Sequence, residues 1–133
     1  MRSRLSKKEK RYLERARVCR IASVDRRGAT HVAPLCHAFD PARRTAYIGK
    51  DEAGMTARNL RARPRAAIEC DDYYEDWDRL RGLVVHARAR VVDRGPELHR
   101  AQRLLKRKFK QYRDIEIGSV IALRIEDVTS WGL

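Results

Sequence analysis

The chain has 133 residues, 43% of them hydrophobic, and carries a formal charge of +13. That length suits one domain with a real core and is too short for two, and no apolar run approaches the roughly eighteen residues that a membrane-spanning helix needs. The charge would attract polyanions, because each Lys or Arg set against a phosphate releases counterions.

Ser6 followed by Glu9 is a capping-box pattern, and the good helix formers that run on to Arg17 predict a first helix. The charged stretch Met1 to Arg11 has no apolar run behind it to act as a signal-peptide core, so a cytoplasmic protein is expected. From Val18 to Asp25 the residues are β-branched or small, Arg26-Arg27-Gly28 turns the chain, and Thr30 to Phe39 is extended again, which predicts a hairpin. Asp40-Pro41 opens a second turn, and Thr45 to Lys50 is the third strand. Met55 to Arg63 favours helix, and Pro64 ends it because the residue before a proline resists the helical region. Ala66 to Cys70 is a short apolar strand, and the acidic and aromatic stretch Asp71 to Asp78 is expected to be a loop.

Gly82 to Val92 has a two-residue period, with Leu83, Val85, Ala87, Ala89 and Val91 on one face and His86, Arg88 and Arg90 on the other. Pro96 sits at a helix start, and Leu98, Ala101, Leu105, Phe109 and Tyr112 recur at three- and four-residue steps, predicting a third helix that packs on the sheet. Ser119 to Asp127 is the last strand. The sum is one mainly β domain of the α+β kind spanning residues 1–133, with six antiparallel strands and three flanking helices. A small barrel is the natural closure, since it removes exposed sheet edges.

Candidate chemistry is sparse. The cysteines Cys19, Cys36 and Cys70 are widely spaced and odd in number, which fits neither a disulfide framework nor a zinc site, and they read as reduced, core-filling thiols. No pair among His31, His37, His86 and His99 has the spacing of a metal site, so none is expected. The basic runs Lys7 to Arg11 and Lys106 to Lys110 lie on predicted helices without any nucleic-acid-binding motif and read as solvated faces. The best ligand site is the strand-to-helix passage from Tyr47 to Pro64. There Gly49-Lys50 and Gly54-Met55-Thr56-Ala57-Arg58 precede or open a helix whose free amides and dipole suit an anion. A glycine-rich helix start with Lys50 and Arg58 merely solvated is equally compatible with these residues. No side chain is placed for acid–base work, so a bound cofactor would have to carry any reaction.

Several segments together resemble the pyridoxamine 5′-phosphate oxidase-like superfamily of split β-barrels, which bind FMN or the deazaflavin coenzyme at a homodimer interface. They are Ala16 to Asp25 with Gly28, His31 to Phe39, Tyr47-Ile48-Gly49, and Thr56 to Arg65; Asp71 to Leu80 is similar to a branch of small members that use deazaflavin. The resemblance implies a split barrel and a homodimer, with Val32, Ala33, Pro34 and Leu35 beneath the flavin ring and Tyr47 and Ile48 against it. It places the phosphate clamp on Gly54, Met55 and Thr56, where the family usually has Arg or Lys at the last two positions; Lys50, Arg58 and the helix terminus would have to compensate. Arg81 falls where the family's oxidases carry a glutamine near the flavin, and Trp131 is placed to cap the cofactor, close the dimer or complete the core. The family's pyridoxal-forming members carry a longer C-terminal segment, so that activity is not expected. The implied function is a flavin- or deazaflavin-dependent oxidoreductase acting on an unknown small molecule. The alternatives are a non-catalytic module storing or sensing a flavin-like or haem-like ligand, and a basic nucleic-acid-binding scaffold.

Overall fold

In the computed structural model, which describes residues 1–133, the Ser6 hydroxyl accepts a hydrogen bond from the Glu9 amide at 3.1 Å while the Glu9 carboxylate accepts from the Ser6 amide at 2.7 Å. This reciprocal cap starts α1 (Lys7–Arg15). The strands that follow are β1 (Cys19–Val24), β2 (Thr30–Leu35), β3 (Ala38–Asp40) and β4 (Thr45–Gly49). Next come α2 (Lys50–Ala53), α3 (Met55–Ala62), β5 (Arg65–Asp72), β6 (Arg81–Val92), α4 (Gly95–Lys108) and β7 (Val120–Trp131).

All seven strands form one antiparallel sheet in the order β2-β1-β5-β6-β7-β4-β3. Its two edges, β2 and β3, are separated in the chain only by Cys36 and His37. The sheet must therefore curl until its edges meet, and the chain itself crosses the seam. This is why the extended run Thr30 to Phe39 is two strands and the total is seven instead of six. His37 sits wholly buried at the bend and donates from Nε2 to the Leu13 carbonyl of α1 at 2.7 Å.

Three further differences from the sequence reading have local causes. Lys50 to Ala53 makes one separate helical turn, because Gly54 at φ +53° interrupts it before α3 begins. Asp71 and Asp72 belong to β5, since their backbones pair with Gly82 and Arg81. The third long helix ends at Lys108, and Lys110–Asp114 is a 3₁₀ segment.

Alternation along the strands builds two cores. Cys19, Ile21, Ile68, Leu83, Val85, Leu123 and Ile125 fill the barrel. Tyr47, Val120 and Ala122 face outward and are covered by Leu98, Ala101, Leu105 and Phe109, with Tyr112 beyond them. β4 and the start of β7, Val120 to Leu123, are thus buried on both faces. Salt links fasten α4 over them: Arg100 to Asp40 at 2.6 Å, and Arg90 bidentate to Glu97, whose carboxylate also accepts from the Tyr47 hydroxyl at 2.7 Å. Leu13 of α1 and Leu5 just before it close one end of the barrel, and α3 closes the other with Leu60, where Asn59 donates to the Ser23 hydroxyl at 3.1 Å.

At the α1 end the strands come unusually close. A Cβ on Gly82 would lie 2.5 Å from the Trp131 ring and 2.7 Å from the Cys70 carbonyl oxygen, so no side chain fits without moving backbone. Gly82→Ala should lower the unfolding free energy by about 1–3 kcal/mol, read from denaturant midpoints.

Candidate functional site

The strand-to-helix passage is built as follows. Every residue of β4 is buried. Tyr47 turns toward α4 and Ile48 into the barrel, so neither side chain reaches an open surface of the single chain. At Gly49 a Cβ would sit 2.4 Å from Glu52 Oε2 and 3.2 Å from the Tyr112 hydroxyl. The glycine lets α2 fold back against the strand end, and the Lys50 amide donates to the Ser119 carbonyl at 3.1 Å.

Gly54 holds the turn into α3, and space beside its Cα is open for at least 4 Å. No side chain caps the α3 N-terminus, so its first amides remain available to an anion. Met55 stands there 51% exposed. The adjacent Thr56 Oγ1 is buried without a hydrogen-bond partner, a polar atom that costs stability unless something satisfies it. Arg58 is exposed and lines a surface cleft with the Asp25 to Arg27 turn.

Val32, Ala33, Pro34 and Leu35 lie on β2, which has a strand partner on one side only. An edge strand presents unpaired backbone groups, a surface suited to a flat polar ring. Val32 is 63% exposed at the end of a row in which it pairs with Ala22, Ala22 with Ala67, Ala67 with His86, and His86 with Asp127. The His86 Nδ1 and Asp127 Oδ1 atoms are 2.7 Å apart.

Arg81 and Trp131 stand apart from this terminus. Gly82 pairs with Trp131 at one end of β6, whereas Val92, at the other end, pairs with Val120, which pairs with Gly49. The two ends are separated by roughly 30 Å of strand. One chain brings Gly49, Lys50, Gly54, Met55 and Thr56 together, but it does not bring Arg81 or Trp131 to them. Trp131 is 39% exposed and lies against Gly82, so it is not part of the barrel core. Arg81 donates from Nε to Asp72 at 3.0 Å.

Two thiol and histidine readings also resolve. Cys19 and Cys70 are buried, as core fillers should be, but Cys36 is exposed. Its neighbour His37 points inward, and burial, aided by the nearby Lys108 charge, pushes its imidazole down to about 4. A neutral ring bonded to a backbone carbonyl is no base for Cys36. The basic run at the end of α4 is not a wholly solvated face either. Lys108 donates to the Ala16 carbonyl, and burial lowers its ammonium to about 8. Only the fold reveals this tie, since Ala16 and Lys108 lie 92 residues apart.

Comparison with known proteins returns a consistent picture. The profile of the pyridoxamine 5′-phosphate oxidase family matches residues 5–132. No curated protein matches the chain. Among solved structures, the chain is similar to the conserved hypothetical protein Rv2991 of Mycobacterium tuberculosis, with TM-score 0.80 and 19% identity over 96% of this chain and 85% of that one. It is also similar to HutZ, the haem storage protein of Vibrio cholerae, with TM-score 0.73 and 16% identity over 98% and 94%. A haem-binding protein of Mycobacterium smegmatis gives TM-score 0.73 and 20% identity over 91% of this chain and 51% of that one. At these identities the structures share a fold with the chain.

Proposed function

Because this chain belongs to the pyridoxamine 5′-phosphate oxidase family, we propose that it holds a flavin, either FMN or the deazaflavin coenzyme, between two copies of itself and moves a hydride between that ring and a small molecule. The observation that carries this reading is the α3 N-terminus, where uncapped amides meet the open side of Gly54, with the buried and unpartnered Thr56 hydroxyl two residues on. That donor set fits a phosphate, with Lys50 as the cation on the strand side of the turn. The ring would lie along the β2 edge at Val32 to Leu35.

A second copy completes the arrangement. Arg81 and Trp131, roughly 30 Å of strand from the phosphate end of their own chain, would come to the ring from the partner. The row of Val32, Ala22 and Ala67, half-buried or exposed small residues on the outer face of the sheet, offers a flat surface for that contact. The bound flavin would supply the redox chemistry, and the protein's part is to hold the phosphate, align the ring and shield it from water. No side chain is assigned a proton-transfer role.

A second reading is a module of the same fold that stores or carries a haem-like ligand without turnover, favoured by the similarity to haem-binding and haem-storage proteins. Titration with FMN, deazaflavin coenzyme and haem, followed by absorbance and equilibrium dialysis, separates the two. Met55→Arg restores a cation at the exposed first position of α3, and FMN affinity should rise about tenfold, one charge-assisted contact's worth. Tight haem binding with no response to FMN or the deazaflavin coenzyme at tens of micromolar, in either protein, would sink the flavin reading.

A further inference from the structure

A cavity lies at the opposite end of the barrel from the α3 N-terminus. It measures about 640 Å³ and opens between α1, the end of β5 and the start of β6, within the size range of small-molecule sites. Its α1 wall carries Lys8, Arg11 and Arg15 at three-, four- and seven-residue spacing, which stacks them on one face of the helix. Arg17 and Arg81 add two more cations.

The carboxylates in the opposite wall are already engaged. Asp71 accepts from Arg20 at 3.0 Å, and Asp72 accepts from both the Tyr12 hydroxyl and Arg81 Nε at 3.0 Å. Arg17 donates to the Lys108 carbonyl at 3.0 Å and lies over the Phe109 ring. Lys8, Arg11 and Arg15 form no ion pair. Like charges at this spacing destabilise a helix, so α1 carries a repulsion that no ion pair to these three side chains relieves. A bound anion would relieve it.

We infer that this cavity is a second binding site, taking a small polyanion with two or more phosphate or carboxylate groups held by Lys8, Arg11 and Arg15. The size of this open cleft suits a small molecule, whereas a nucleic-acid duplex would need a continuous basic track. Arg81 is shared with the flavin arrangement proposed above, but Lys8, Arg11 and Arg15 are not, so variants on α1 test this site separately from the flavin reading.

Inorganic tripolyphosphate is the probe. Calorimetric titration should show one saturable site per chain, and tripolyphosphate should raise the melting temperature. Arg11→Gln with Arg15→Gln should weaken binding by about tenfold or more and abolish the thermal shift. Arg103→Gln with Arg107→Gln removes the same charge from the exposed side of α4, outside the cavity, and should change affinity by less than about threefold. Lys8→Gln alone gives a milder version of the first variant, and circular dichroism of each confirms its fold. Equal weakening by both double variants, absence of saturation, or tighter binding of a short DNA duplex than of tripolyphosphate would each overturn the inference.

Discussion

Lowering the pH should destabilise this protein in two stages, each worth about 3 kcal/mol, and the stages should be removable one at a time. The first belongs to His37. Buried in the seam of the barrel with Nε2 donating to the Leu13 carbonyl, it stays neutral down to about 4 in the folded protein. In the unfolded chain it takes up a proton near 6.5. The unfolded state therefore binds more protons as the pH falls below 6.5, and stability declines until the folded imidazole also titrates at about 4. The second belongs to Glu9. Desolvation alone would raise its carboxyl, but hydrogen bonds from Arg2, Ser130 and the Ser6 amide outweigh it and bring the group down to about 2. Its contribution is fully present above the unfolded value near 4.3 and is lost as the pH falls toward 2. Denaturant unfolding at a series of pH values should show a slope from His37 between about pH 6.5 and 4, followed by a slope from Glu9 below about 4.5. His37→Asn should erase the first and Glu9→Gln the second. A flat profile from pH 7 to 4 in the native protein would show that His37 is not held neutral.

Cofactor affinity should be recoverable by mixing two defective chains, if the proposed site is assembled from both copies. Met55→Glu puts a carboxylate on the exposed start of α3, where it favours the helix and repels a phosphate. Arg81→Ala with Trp131→Ala strips the other end of β6 and β7. Each homodimer should lose at least about tenfold in flavin affinity. Co-expression of the two variants should restore roughly a quarter of the sites, because half the dimers are mixed and each mixed dimer contains one intact site. Equilibrium dialysis counts them. No recovery, or full retention of affinity in the Arg81 and Trp131 variant, would mean that the binding groups come from one chain.

Much of this architecture is legible in the residues. The capping box at Ser6 and Glu9, the two-residue period from Leu83 to Ala89 and the helical stripe from Leu98 to Leu105 stand where they are expected, but Val91, expected on the core face, is 46% exposed while Val92 is buried under α4. Family membership is legible as well, since it rests on short segments whose order and spacing survive in the chain. The candidate site is less so. Gly54 and Met55 declare an exposed helix start, but nothing in the sequence says that Tyr47 turns away under α4 or that Arg58 lines a surface cleft with the Asp25 to Arg27 turn. Cys36 and Cys19 look alike in the sequence, yet one is exposed and the other buried.

The division has a physical cause. Helix and strand periods, caps and turns are set by neighbours within a few residues, so the sequence by itself determines the elements, their amphipathic faces and the one domain they form. Which strand lies at an edge, and which end of the barrel a residue occupies, depends on pairings between distant segments that no local pattern encodes. The bend at Cys36 and His37, which turns six expected strands into seven, follows from β2 and β3 sitting at opposite edges of one curled sheet. The same closure sends Gly54 and Arg81 to opposite ends of the barrel, and only the tertiary structure decides that a single chain cannot present both to one ligand.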